Sequence, residues 1–396
     1  MLPIPVADPN QLFKMLGINI TNNFEEYNNT IKERIDTFFE VLDNLTIHPE
    51  IKHLILHLCG KPKLLYYCET TPPQYGKEVA ELFDRKAKES FATLIDIKDS
   101  KLISDDILYD KFGGNLPHYS KHHQALYNNC VANALTGGRM QNNIHGLLIS
   151  SDIEKFKSPE CSHDRLWTHW LNSTSTKLHQ LAPYEYTTAL AIRCSLAPDL
   201  IIDKMGQSVR CGCSSLVNVR KELARHLCSC TEMSKLEYAN RHTYVKHAIR
   251  SVLTQYGIQS DNEPNYYNYA TGNCRPDITV RMVGTKNIAI DLTIVKPDAN
   301  EIGAAAKRAA EAKEKIHGAA VSAFEHVFIP FALETTGHMD ASCFAFFKLV
   351  RNEVHFHHRI QFQRDFFGAI STALARFRAH SMISAANQSL TGSSTI

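Results

Sequence analysis

Between Cys274 and Pro297 the chain reads Cys-Arg-Pro-Asp-Ile-Thr-Val-Arg-Met-Val-Gly-Thr-Lys-Asn-Ile-Ala-Ile-Asp-Leu-Thr-Ile-Val-Lys-Pro. Two runs rich in β-branched residues flank a short polar stretch, the pattern of a β-hairpin. Asp277 stands at the mouth of the first run and Asp291 inside the second, with thirteen residues between them and Gly284 midway. A hairpin turning at that glycine sets the two aspartates opposite each other on antiparallel strands. Paired carboxylates of that kind can hold a divalent metal. An ionised carboxylate among Ile288, Ala289, Ile290, Leu292, Ile294 and Val295 is costly unless it is paired or bound to a cation. The alternation also allows a second reading, in which Ala289, Asp291, Thr293 and Val295 form a solvated face and the isoleucines and Leu292 the buried one. Spacing alone leaves both open.

The 396 residues suffice for two or three domains, and 44% hydrophobic composition is that of a globular chain. No apolar stretch approaches the length of a membrane span, and the first residues lack the basic and apolar regions of a secretory signal. An intracellular protein is therefore expected, and in a reducing compartment its 11 cysteines read as buried thiols or metal ligands in preference to disulfides. The net charge of +2 is unevenly spread. Residues 1–110 carry 12 basic and 18 acidic side chains, or −6, which leaves +8 for the remainder. A basic C-terminal two-thirds suits contact with a polyanion, although weakly basic surfaces are common.

Helical periodicity runs over residues 24–58 and again over 76–97; the breaker Gly113-Gly114-Asn115-Leu116-Pro117 follows, then a helical stretch from His122 to Leu135. Helices are also expected at Tyr184–Leu196, Arg241–Tyr256, Asn300–Val321 and Arg359–Ala386. From Arg241 to Phe331 the order is helix, three strands, helix, strand, the last strand covering Phe324–Phe331.

Four of the cysteines cluster. Cys211-Gly-Cys213, then twelve residues, then His226-Leu-Cys228-Ser-Cys230 supplies two short ligand hooks, and tetrahedral zinc takes four thiolate or imidazole ligands from such a pair. Cys211, Cys213, His226 and Cys230 form the first-choice set, with Cys228 competing for the last place. The single residue between the first two cysteines is tighter than in a generic finger, so buried thiols beside a core histidine are the competing reading. Arg241-His242 opens the next expected helix and could meet phosphate or stand in a solvated first turn. Glu263-Pro264 precedes the hairpin, where the glutamate is either a third carboxylate or a surface turn residue. Lys307, Glu311 and Lys315 share one stripe of the Ala-rich helix, with Lys313 on another side. Ion pairs along the helix account for them, and so does a lysine reaching back to the carboxylates.

Taken in order, Cys-x-Cys, His-x-x-x-Cys, Arg-His, Glu-Pro, Arg-Pro-Asp, Asp-Leu-Thr and a lysine-bearing helix resemble the C-terminal part of site-specific non-LTR retrotransposon proteins. There a zinc knuckle precedes a restriction-like endonuclease of the PD-(D/E)xK superfamily. Upstream, Lys14–Ile20, Leu64–Cys68, Leu82–Asp84 and Phe112–Leu116 are similar to the reverse-transcriptase thumb and linker, while the Tyr-x-Asp-Asp polymerase signature is absent from the chain. The resemblance implies a mixed fold: an α-helical N-terminal half, a small zinc knuckle, and an α/β PD-(D/E)xK core followed by a C-terminal helix. The corresponding divisions are 1–136 thumb-like, 137–205 helical linker, 206–240 knuckle, 241–345 endonuclease and 346–396 helix and polar tail.

It implies a Mg²⁺- or Mn²⁺-dependent DNA endonuclease that nicks its target, with Asp277 and Asp291 as metal ligands and Glu263 as a contributor. Structural Zn²⁺ would sit on the cysteine cluster, and Arg241, His242 and Arg275 would contact nucleic acid. DNA is the expected partner, with element RNA a second, in a nuclear location and away from membranes. The position two residues beyond the second aspartate is Thr293 in place of lysine, which moves the catalytic lysine to Lys313 or Lys315 on the next helix. In the family a tyrosine follows that lysine, whereas Ile316 and His317 follow here. Two alternatives stand beside this reading: a catalytically degenerate nucleic-acid-binding relic, and a host repair or junction nuclease on the same core.

Overall fold

The computed structural model describes residues 13–15, 18–20, 23–109, 114–135, 170, 180–211, 213–230, 235–267, 275–298 and 301–390. The chain divides into two compact units, Met1–Lys155 and Phe156–Ile396.

Among its described residues the first unit is helical apart from a short antiparallel hairpin, β1 (Phe13–Met15) and β2 (Ile18–Ile20). Its helices are α1 (Phe24–Asn44), α2 (Pro49–Ile55), α3 (Lys61–Thr70), α4 (Pro73–Leu94), α5 (Asp105–Tyr109) and α6 (Tyr119–Leu135). The single helix expected over 24–58 is broken at 45–48. Pro49 cannot continue α1: it forces the preceding His48 to extended backbone and instead starts α2 at a position where the missing N–H costs nothing. Phe39, Phe83 and Phe91 fill the interior, and buried Asp84 accepts from the Tyr119 and Ser120 amides to cap α6.

In the second unit, α7 (Pro183–Arg193) and α8 (Asp199–Met205) lead to a hairpin, β3 (Ser208–Arg210) and β4 (Leu216–Asn218), and then to α9 (Val219–Ser229). There follow α10 (Lys235–Gln255), β5 (Ser260–Asn262), β6 (Ile278–Val280), β7 (Ile288–Val295), α11 (Ala304–Ser322), β8 (Val327–Glu334), α12 (Ala341–Glu353) and α13 (Arg359–Leu390). The sheet runs β5-β6-β7-β8, antiparallel except for the β7–β8 pair, which is parallel and connected through α11. The helix–strand order expected from Arg241 to Phe331 is thus present. Helix α12 is one that the periodicity did not single out.

The two faces of β7 explain its composition. Ile288, Ile290, Leu292 and Ile294 enter a core with Val245, Ile249 and Val252 of α10, Phe331 of β8, and Phe346, Phe362 and Phe366 of α12 and α13. On the other face Ala289 packs with Ala320, Val321 and Phe328, while Ala332 of β8 packs with Ala306 and Ala310. These small side chains bring α11 close to the sheet. Asp291 therefore lies beneath a helix, 5% exposed, and the solvated-face reading of its strand is wrong.

Candidate active site and metal cluster

The register Ile278↔Ile290, Thr279↔Ala289, Val280↔Ile288 is centred on Gly284, whose φ of 71° is the left-handed conformation that a tight turn asks of glycine. Continued by one residue, the same register puts Asp277 opposite Asp291. Both carboxylates are buried, and each is met by cationic or imidazole groups from a different helix.

Asp277 faces α10. His242 Nε2 is 2.9 Å from its Oδ2, the Leu292 amide donates to the same oxygen at 2.7 Å, and Lys246 Nζ is 3.8 Å from Oδ1. Burial pushes this carboxyl upward, but the His242 hydrogen bond, the Leu292 amide and Lys246 outweigh it and hold Asp277 below the usual range. Asp291 faces α11. Lys313 Nζ is 2.5 Å and His317 Nε2 3.5 Å from its Oδ2, so this oxygen is held by an ion pair. Burial raises Asp291, the Asp277 charge raises it further, and Lys313 opposes both without cancelling them. Their surroundings thus drive the two carboxylates in opposite directions.

Glu263 stands beside this pair. Its backbone has φ +44°, in the left-handed region and just before a proline, where such a conformation is doubly disfavoured, and its amide donates to Asp277 O at 2.8 Å. Its carboxylate pairs with Lys246 and, at 2.7 Å, with Arg275. The Lys246 contact, foremost, outweighs the small opposing effect of burial and lowers the Glu263 carboxyl. Glu263 is already neutralised by these two cations.

The structure separates the remaining site candidates. Lys313 reaches Asp291, whereas Lys315 projects into solvent with Lys307 and Glu311. Arg241 and His242 lie inside α10, not at its start. Arg241, expected at nucleic acid, is 3% exposed: its guanidinium donates to Ile294 O at 2.7 Å and lies 5.5 Å from the Phe377 ring centre. It secures the end of β7 and has no open path to a phosphate. Arg275 remains on the surface. Sequence reasoning missed Lys246 and His317. The available signal was positional, since Lys246 follows His242 and His317 follows Lys313 by four residues, one helical turn on the same face.

The cysteine cluster has a different character. The ligand atoms of Cys211, Cys213, His226 and Cys230 all lie within 4.8 Å of one another, and among the described residues this is the one such group of three or more. Cys211 Sγ is 3.4 Å from Cys230 Sγ, and Cys213 Sγ is 3.6 Å from His226 Nε2. The first hook comes from the β3–β4 turn and the second from the end of α9. Cys228, the competitor, lies outside the residues whose side chains are described, and so does the Gly212 between the first two cysteines. Burial lifts the Cys211 thiol to about 12, while hydrogen bonds from Ser215 draw Cys213 down to about 7. Three sulfurs and an imidazole converging this closely can hold a metal such as zinc.

Compared with known proteins, the chain matches no family model and no curated sequence. No helix among the described residues is long and apolar enough to cross a membrane.

Proposed function

We propose that this chain is a metal-dependent DNA endonuclease with a zinc-bound knuckle, built on a PD-(D/E)xK core of the retrotransposon type. One observation carries the reading: the β6–β7 register, which continued by one residue sets Asp277 opposite Asp291, with Lys313 of the following helix against Asp291. Burial and the Asp277 charge both press the Asp291 carboxyl upward, which fits a cation at this pair beside the Lys313 ammonium. Two carboxylates suit Mg²⁺ or Mn²⁺, which take few protein ligands and leave room for water and substrate phosphate. Such an ion, when bound, supplies Lewis acidity toward the phosphate and lowers the pKa of water.

The protein groups divide the remaining work. Asp277 and Asp291 hold the ion. Lys313 offsets the negative charge that builds on the phosphate during displacement. His242 and the Leu292 amide fix the orientation of Asp277, and Lys246 links it to Glu263. Glu263 supports the site through that link and is not itself free to ligate. Arg275, exposed on the approach to Glu263, is the nucleic-acid contact retained from the sequence reading. DNA as substrate, and a nuclear location, follow from the resemblance together with the basic C-terminal two-thirds.

A second reading has its own support. His242, Lys246, Lys313 and His317 already surround the two carboxylates, as in a self-neutralised cluster of a non-catalytic nucleic-acid-binding protein. Plasmid nicking with added Mg²⁺ or Mn²⁺ separates the two. Metal-dependent nicking that is lost in Asp277→Ala and Asp291→Ala supports the nuclease; the absence of nicking by the wild-type chain supports the binding protein.

A further inference from the structure

A patch remote in sequence from the carboxylates exposes a run of aromatic and imidazole rings. Helix α12 ends at Glu353, and a single 3₁₀ turn, Phe356–His358, leads into α13. Phe356 is 64% and Ile360 67% exposed, four residues apart on the turn and the first helical turn that follows it. The rings of His355, Phe356 and His357 lie 3.7–5.2 Å apart, tilted by 32–36° to one another, and all three residues are exposed. Arg359 donates to Val354 O at 3.0 Å and to Asn352 O at 3.1 Å, which ties the two ends of the turn together. Beneath it, buried Phe347 and Phe362 stack at 5.8 Å. The platform is therefore preorganised and does not need its partner to order it.

Its charge points to the partner. Residues 344–364 hold four basic side chains and one acidic one, and that acid, Glu353, is engaged by the Val283 amide at 3.1 Å. Lys348 and Arg364 remain exposed. A polyanion that also offers flat π-faces is single-stranded nucleic acid. In a duplex the bases are already stacked on one another and cannot reach such rings.

We propose that the His355–His358 turn, with Lys348 and Arg364, is a stacking platform for single-stranded DNA or RNA. The inference requires a nucleic-acid partner, as in the preceding section, but not its hydrolysis. The test uses the full chain in buffer without added divalent ions and reads the fluorescence anisotropy of a labelled oligothymidylate and of a duplex of equal length. Phe356→Ala should weaken single-strand binding by about 5- to 140-fold, the range expected for loss of one base-stacking contact, while Phe356→Tyr stays near wild type. Arg364→Gln should lower the slope of log affinity against log salt by about 0.7, one phosphate contact. Duplex binding should change less than about twofold. The proposal is overturned if the wild type does not bind the oligothymidylate, if Phe356→Ala binds it unchanged, or if single strand and duplex weaken equally. Asp277→Asn, assayed in parallel for nicking and for single-strand binding, keeps the two readings apart: loss of nicking concerns the nuclease alone.

Discussion

Among single residues, two lysines that sequence could not rank differ in position, and one of them reaches Asp291. Lys313 and Lys315 both project from α11, but residues two apart on a helix point to nearly opposite sides. Only Lys313 shares a face with His317 and meets Asp291. Lys313→Met should therefore reduce the single-turnover nicking rate by about 100-fold or more, as removal of one transition-state charge partner does elsewhere, and Lys315→Ala should leave it unchanged. Equal losses in the two variants would contradict the assignment. Lys246 belongs to the same scale. Its side chain is 9% exposed and serves Glu263 and Asp277 together. Lys246→Met should cost about 1–3 kcal/mol in urea unfolding, discounted because Glu263 is partly solvated. The aspartates were legible because their separation is symmetric about a glycine; Lys246 was not, because nothing around it in the sequence names Glu263, 17 residues on, as its partner.

At the scale of elements, strand order and the position of the turn could be read from β-branched runs and Gly284, since both depend on local periodicity. Which face of β7 met a helix could not, because burial of Asp291 depends on how closely Ala306 and Ala310 allow α11 to approach. Long-range ties between helices were equally silent. Buried Glu185 of α7 accepts from Arg376 Nε at 3.3 Å and pairs with His380 at 2.5 Å, both on α13. Burial pushes its carboxyl upward, but the His380 hydrogen bond, the Ala182 amide and Arg376 outweigh this and hold it below its ordinary value of 4.5. The unfolded chain thus binds the Glu185 proton more tightly. The stability contributed by this carboxylate is complete above the unfolded pKa and is lost as pH falls through the lower native value. Urea unfolding followed between pH 6 and 3 should show a steeper loss in the wild type than in Glu185→Gln. Parallel pH profiles would mean the pairs contribute nothing to stability.

At the scale of the whole molecule, the cysteine cluster is also part of a core. Cys211 and Cys230 pack with Ile201, Leu223, Leu227 and, from α13, Met382 and Ala385. Since α13 also joins the core of the four-stranded sheet through Phe362 and Phe366, loss of the metal should reach beyond the knuckle. With zinc bound, chelation should lower the melting transition of the unit Phe156–Ile396 by about 10 °C or more, and readdition should restore it. A transition indifferent to chelator would point instead to packed thiols without a metal. The clustering of Cys211, Cys213, His226 and Cys230 was legible from spacing alone; their seating against a helix more than 150 residues downstream was not.

As proposed, Asp277 and Asp291 form the metal-binding centre of a DNA endonuclease. The most direct test is nicking of supercoiled plasmid by the purified chain with added Mg²⁺ or Mn²⁺, alongside a gel-shift measurement of DNA binding. Asp277→Ala and Asp291→Ala should each abolish nicking while retaining DNA binding. Undiminished nicking by a purified Asp277→Ala/Asp291→Ala double variant would contradict it.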